Sequence, residues 1–143
     1  MQKKNPVQLD LFIWQYRGKQ SPYLISDFLS VPLSTFTWEY SASARKVRRE
    51  YKRRFSTSGC YVFFQNSECL YVGQSYNVRE RLAQHLRLRG RKSFCCPTIL
   101  TEYDVSDITV DILITIQHKE LEYFLVSQLH PIKNKVLPSG ASR

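Results

Sequence analysis

The 143-residue chain reads as an α/β (α+β) protein, with three short strands and two helices behind an N-terminal arm and a basic helix. Three observations predict this. Two strand-like runs, Cys60 to Phe64 and Cys69 to Val72, are separated by the polar Gln65-Asn66-Ser67-Glu68, which reads as a hairpin. A capped amphipathic stretch follows them directly. A β-branched run, Ile108 to Ile116, then leads into a second helical stretch that Pro131 stops.

Taken in order, residues 1–57 form the arm and the basic helix. Pro6, Pro22 and Pro32 interrupt any long element before Thr35. From Ser41 the apolar residues Ala44, Val47, Tyr51 and Phe55 recur at helical steps, and Arg45, Lys46, Arg48, Arg49, Lys52, Arg53 and Arg54 lie between them. Seven cations against the single Glu50 exceed what solubility needs, and this face is expected to bind phosphates. A small polar stretch, Ser56-Thr57-Ser58-Gly59, separates this part from residues 58–136. After the hairpin, Asn77 serves as an N-cap with Glu80 as its reciprocal partner. The helix runs to about Arg89 with Val78, Leu82 and Leu86 on one stripe. Residues 90–107 form a connection. The last helix spans about His118 to Leu129, and residues 137–143 are a tail.

Composition narrows the function. Lys and Arg number 21 against 12 Asp and Glu, for a net charge of +9 and a pI near 9.6. A polyanionic partner is implied, nucleic acid before an anionic membrane surface. No secretory signal opens the chain, and the most apolar stretch is too short and too polar to span a bilayer. The basic helix also lacks the broad apolar face of a membrane-surface helix. Cys60, Cys69, Cys95 and Cys96 contain no C-x-x-C pair, a poor zinc pattern, and reduced thiols in a cytoplasmic protein are expected.

The candidate chemistry lies in the second part. Gly59-Cys60-Tyr61 opens one strand and Tyr71-Val72-Gly73 closes the next, so a hairpin brings two phenols to one neighbourhood. Arg81 and His85 are four residues apart and share a helix face. With Val78 at 0° on a helical wheel, Leu82 falls at about 40°, Arg81 at about 300° and His85 at about 340°. Both polar groups thus flank the apolar stripe. Arginine's planar fork suits paired phosphate oxygens. Glu122 falls inside the apolar arc of the last helix, between Leu129 and Val126. A buried carboxylate costs several kcal/mol unless paired or bound to a metal. A salt bridge to Arg81 accounts for it; a metal ligand fits better beside phosphate-binding cations.

Together, Gly59-Cys60-Tyr61, Tyr71-Val72-Gly73, Ser75, Asn77, Arg81, His85, Glu122, Pro131 and Asn134 resemble the GIY-YIG nuclease domain. The resemblance implies a small, mainly antiparallel sheet flanked by helices and a DNA endonuclease using one divalent cation, Mg²⁺, with Mn²⁺ as a substitute. It implies that Arg81 holds the scissile phosphate and that Glu122 binds the metal. Tyr61 becomes the favoured general base, Tyr71 orients the attacking water, His85 is the rival base, and Asn134 fixes the network from the C-terminal segment. Arg79 and Arg87 join the basic helix as expected DNA contacts. Two departures stand out: Cys60 replaces the usual aliphatic residue, and Gln74 stands where many members carry Lys.

A separate signal lies in the arm. Gln8-Leu9-Asp10-Leu11-Phe12 resembles the pentapeptide by which many bacterial proteins bind the replicative sliding clamp. Leu11 and Phe12 would enter an apolar groove with Gln8 at its rim; alternatively these apolar residues pack the arm onto the core. The expectation is a cytoplasmic, nucleoid-associated, metal-dependent endonuclease. The alternative is a non-catalytic DNA-binding or clamp-adaptor module with the same fold.

Overall fold

The computed structural model describes residues 14–36, 49–50, 53–87 and 104–134. Strand β1 (Trp14–Tyr16) pairs with β2 (Lys19–Ser21) in a hairpin turned by Arg17 and Gly18, both at positive φ. Two successive left-handed residues match the twist of the flanking strands. Strand β3 (Asp27–Pro32) follows, then a 3₁₀ turn, Leu33–Phe36. Strands β4 (Gly59–Gln65) and β5 (Glu68–Ser75) form the expected hairpin, with Asn66 left-handed at the turn. Helix α1 (Val78–Arg87) comes next. A 3₁₀ turn, Val105–Asp107, leads into β6 (Ile108–Ile114), and helix α2 (His118–Leu129) follows.

The main sheet is antiparallel, in the order β3-β6-β4-β5. It has one strand more than the three expected, because the supposedly irregular arm supplies β3. Periodicity alone hides this strand: Phe28, Ser30 and Pro32 are exposed at an edge, and its closing proline suits an edge position. The strand expected to reach Ile116 ends at Ile114, and Ile116 is 89% exposed.

Alternation along the strands sorts the core into two layers. Tyr61, Phe63, Tyr71 and the even-numbered residues Ile108 to Ile114 pack with Val78 and Leu82 of α1 on one face, joined by Leu33, Phe36 and Phe55. Cys60, Val62, Phe64, Val72 and Leu113 pack with Leu121, Leu125 and Val126 of α2 on the other. Each fully buried large side chain contributes about 1.5–3 kcal/mol relative to exposure. The β4–β5 register shifts between Phe63 and Phe64, leaving Leu70 as the extra residue of a bulge. Leu70 and Tyr71 therefore both enter the α1 layer, while Cys69 stays in the other.

The outer rim of β5 is covered by the segment after α2. Ile132 and Lys133 donate backbone hydrogen bonds to the carbonyls of Cys69 and Leu70, at 3.2 and 2.8 Å. Across the sheet, Asp111 is fully buried in β6 and accepts from Tyr16, Arg17 and Ser30 at 2.6, 3.0 and 2.6 Å. Three donors offset the cost of burying the carboxylate and fasten the β1–β2 turn and β3 to the sheet.

Candidate active site

The two signature glycines are explained by close approach. A Cβ at Gly59 would run into the Leu113 carbonyl, and one at Gly73 would overlap the Tyr61 ring. Tyr61 is registered opposite Gly73, so its ring lies across the bare backbone of β5. Two residues on, Phe63 faces Tyr71. The ring centroids of Tyr61 and Tyr71 are 6.2 Å apart, as the hairpin predicted.

Helix α1 adds His85 to this cluster. Its ring lies 5.4 Å from Tyr61, 5.7 Å from Tyr71 and 5.1 Å from Phe63, edge-on to each. The Tyr61 hydroxyl and His85 Nε2 are 2.9 Å apart, a buried hydrogen bond. The helix that holds His85 is set by its start. Asn77 Oδ1 accepts from the Glu80 N–H at 3.0 Å, the expected N-cap, but the Asn77 N–H donates to Ser75 Oγ where a reciprocal Glu80 side chain was expected. The Val78 N–H donates to the Thr57 carbonyl at 3.0 Å.

One turn before His85, Arg81 lines a cleft of about 330 Å³. Gln74 and Ser75 at the end of β5, Tyr76 and Asn77 in the loop, Glu80 and Gln84 on α1, and Lys119 on α2 complete its wall. Glu122 is 2% exposed and lies three residues after Lys119, so the two are neighbours on α2. Its charge reaches Cys60, whose thiol is pushed well up, first by burial and then by Glu122. Glu122 does not itself line the cleft, but its buried Oε2 accepts no hydrogen bond from the described residues, which suits a hard divalent cation that keeps several waters and takes phosphate oxygens. Among the described residues no three or more His, Cys, Asp or Glu side chains gather into a cage.

Asn134 has a specific place. Its amide accepts from the Val72 N–H at 3.0 Å and donates to the Val72 carbonyl at 3.1 Å. It thus clamps the residue next to Tyr71 on the edge of β5 that no strand pairs.

Over residues 57–135 the chain matches the model of the GIY-YIG catalytic domain. The chain belongs to the GIY-YIG family. Members of the GIY-YIG family are nucleases. No curated protein matches the sequence. Among solved structures, the GIY-YIG endonuclease domain of UvrC from Thermotoga maritima is similar, at 17% identity and a TM-score of 0.47. That comparison covers 64% of this chain and 97% of the other, which is a point mutant bound to its catalytic divalent cation. A third structure of the same domain, bound to magnesium, is 19% identical, with a TM-score of 0.46 and coverage of 62% and 96%.

Of the remaining GIY-YIG expectations, some fall where the structure can place them. Arg49 and Arg53 are exposed on a helical segment. Arg54 instead makes a two-pronged pair with Asp27 of β3, at 2.7 and 2.8 Å. Arg79 is half-buried, and its Nε meets no acceptor. Arg87 ends α1. Arg45, Lys46, Arg48 and Lys52, and the whole of Gln8, Leu9, Asp10, Leu11 and Phe12, lie outside the described residues.

Sequence reasoning passed over His118. Its Nδ1–H donates to Gln74 Oε1 at 2.6 Å, and its carbonyl accepts from the Cys60 thiol at 3.1 Å. Burial, and then the charge of Lys119, hold its imidazole below the usual range. The available signal was its position four residues before Glu122, on the same helix face. Among the described residues, no helix is long and apolar enough to cross a membrane.

Proposed function

We propose that this chain is a divalent-metal-dependent DNA endonuclease that hydrolyses phosphodiester bonds at the Arg81 cleft. The observation that carries the reading is the buried 2.9 Å hydrogen bond between Tyr61 and His85 Nε2, one helical turn from the arginine that lines the cleft. Arg81 pairs with the oxygens of the scissile phosphate through its guanidinium fork. Tyr61 receives the proton of the attacking water as its own hydroxyl proton moves to His85 Nε2, so the two expected rivals act as one relay. Tyr71, in the same ring cluster, orients that water. Glu122 would hold the cation, Mg²⁺ or Mn²⁺, which would supply stabilisation of the charge developing on the leaving 3′-oxygen. Asn134 keeps β5, and with it Tyr71 and Gly73, in register. The basic helix, Arg79 and Arg87 add phosphate contacts along the duplex.

In this reading the protein works in the cytoplasm at nucleoid DNA, and Gln8 to Phe12 recruit it to the sliding clamp. The decisive experiment incubates the purified chain with supercoiled, nicked, linear and branched DNA, with Mg²⁺ or EDTA. Glu122→Ala should abolish cleavage and leave DNA binding largely in place, since the positive surface is kept. Full Mg²⁺-dependent cutting by that variant removes Glu122 as the ligand. Clamp recruitment is checked by co-purification with the bacterial clamp, which Phe12→Ala should abolish; undiminished capture rejects that part.

A further inference from the structure

At the mouth of the cleft stands an aromatic residue that the relay does not use. Tyr76 is 69% exposed. The residues on either side of it are joined: the Asn77 N–H donates to Ser75 Oγ at 3.0 Å, and the Ser75 hydroxyl lies 3.0 Å from the Asn77 carbonyl. The Tyr76 ring packs on His118, with its centroid 4.7 Å from that of the imidazole at an interplanar angle of 70°. His118 is itself fixed by Gln74. The Lys119 ammonium lies 5.5 Å from the same ring. Tyr76, Lys119 and Arg81 all line the one cleft.

An exposed aromatic packed on a histidine, with one cation at its ring and a second lining the same cleft, suits an unstacked base next to its phosphate. A base inside an intact duplex has both faces covered by its neighbours and offers no π-face to stack upon. A cleft of about 330 Å³ is at the lower end of ligand sites and suits one nucleotide unit. We propose that Tyr76 is a specificity-determining residue that stacks on an unpaired base adjoining the phosphate held by Arg81. Lys119 neutralises the neighbouring phosphate. DNA with single-stranded character at the cut (a flap, a fork or a gap) is then preferred over continuous duplex. The inference rests on the endonuclease reading of the Arg81 cleft and specifies its substrate class.

The test measures binding of the full chain, in EDTA, to flap, single-stranded and duplex oligonucleotides of one sequence. Each carries 2-aminopurine at the nucleotide beside the junction. The wild-type chain should bind flap and single strand more tightly than duplex and should quench the probe. Tyr76→Ala should lower the flap-to-duplex affinity ratio by about 5- to 150-fold and lose the quench. Tyr76→Phe, which keeps the ring, should retain both. An unchanged ratio in the alanine variant, or an equal loss on all three DNAs, overturns the proposal; a circular-dichroism melt confirms that the variant is folded. Failure of the wild-type chain to bind any of these DNAs overturns both readings. Binding with the expected ratio but no cleavage on adding Mg²⁺ overturns only the nuclease reading.

Discussion

Tyr61 and His85 are joined by one hydrogen bond, and this changes what substitution should do at each. Separate candidate bases would give separate pH inflections. A buried pair titrates as a unit, with apparent values that belong to both groups. Tyr61→Phe preserves the ring over Gly73 and should lower the cleavage rate by about 10²–10⁴-fold. His85→Gln should produce a loss of the same order and remove the same inflection from the pH–rate profile. Retention of that inflection in either variant shows that the other residue works alone. The sequence made these two residues visible, because helical spacing turns His85 toward the apolar stripe and the hairpin aligns the phenols. Their contact was not legible. It depends on the crossing of α1 over β4 and β5, which no local pattern encodes. His118 was missed for the same reason: its partners, Gln74 and Cys60, come from two different strands.

Among the elements, β5 is one of the two edges of the main sheet, paired with a strand on one side alone. The chain after α2 covers the other side, and Asn134 supplies both hydrogen bonds to Val72 there. Asn134→Ala should cost about 1–3 kcal/mol, the penalty for stranding partly buried backbone groups. Amide exchange at Val72 should quicken more than at Val62, its partner on β4. Equal exchange rates at the two amides would reject the clamp. The hairpin and both helices were legible from period and capping, as Asn77 and Pro131 show. Strand β3 was not. Its alternation is masked by edge exposure, and its partner β6 is remote in sequence. Arg54 illustrates a related limit, because a basic run does not say which cation will meet Asp27.

For the molecule as a whole, three buried acids set an alkaline limit. Burial pushes the Cys69 thiol up to about 12 and raises the Cys60 thiol and the Tyr16 phenol as well. In the unfolded chain a thiol ionises near about 8.5. Below that pH neither state loses a proton, so the contribution to stability is complete. Between about 8.5 and the raised folded values the unfolded chain binds fewer protons, and stability falls as pH rises. Urea unfolding between pH 8 and 11 should show this decline, reduced in Cys69→Ala; a flat profile excludes it.

Ser30 and Asp111, neighbours in the sheet, are 81 residues apart in the chain. During synthesis at about 5–20 residues per second, β3 emerges roughly 4–16 seconds before its partner β6 exists. It is the first strand of the main sheet to be made and the last able to take its seat. Until then its backbone edge is open to any other extended segment, including β3 of a neighbouring nascent chain. Pulse proteolysis of arrested chains should find residues 27–32 protected only once β6 is free of the ribosome. The buried carboxylate of Asp111 then acts as a latch, because the hydroxyl of Ser30 can close on it only when the late strand has arrived.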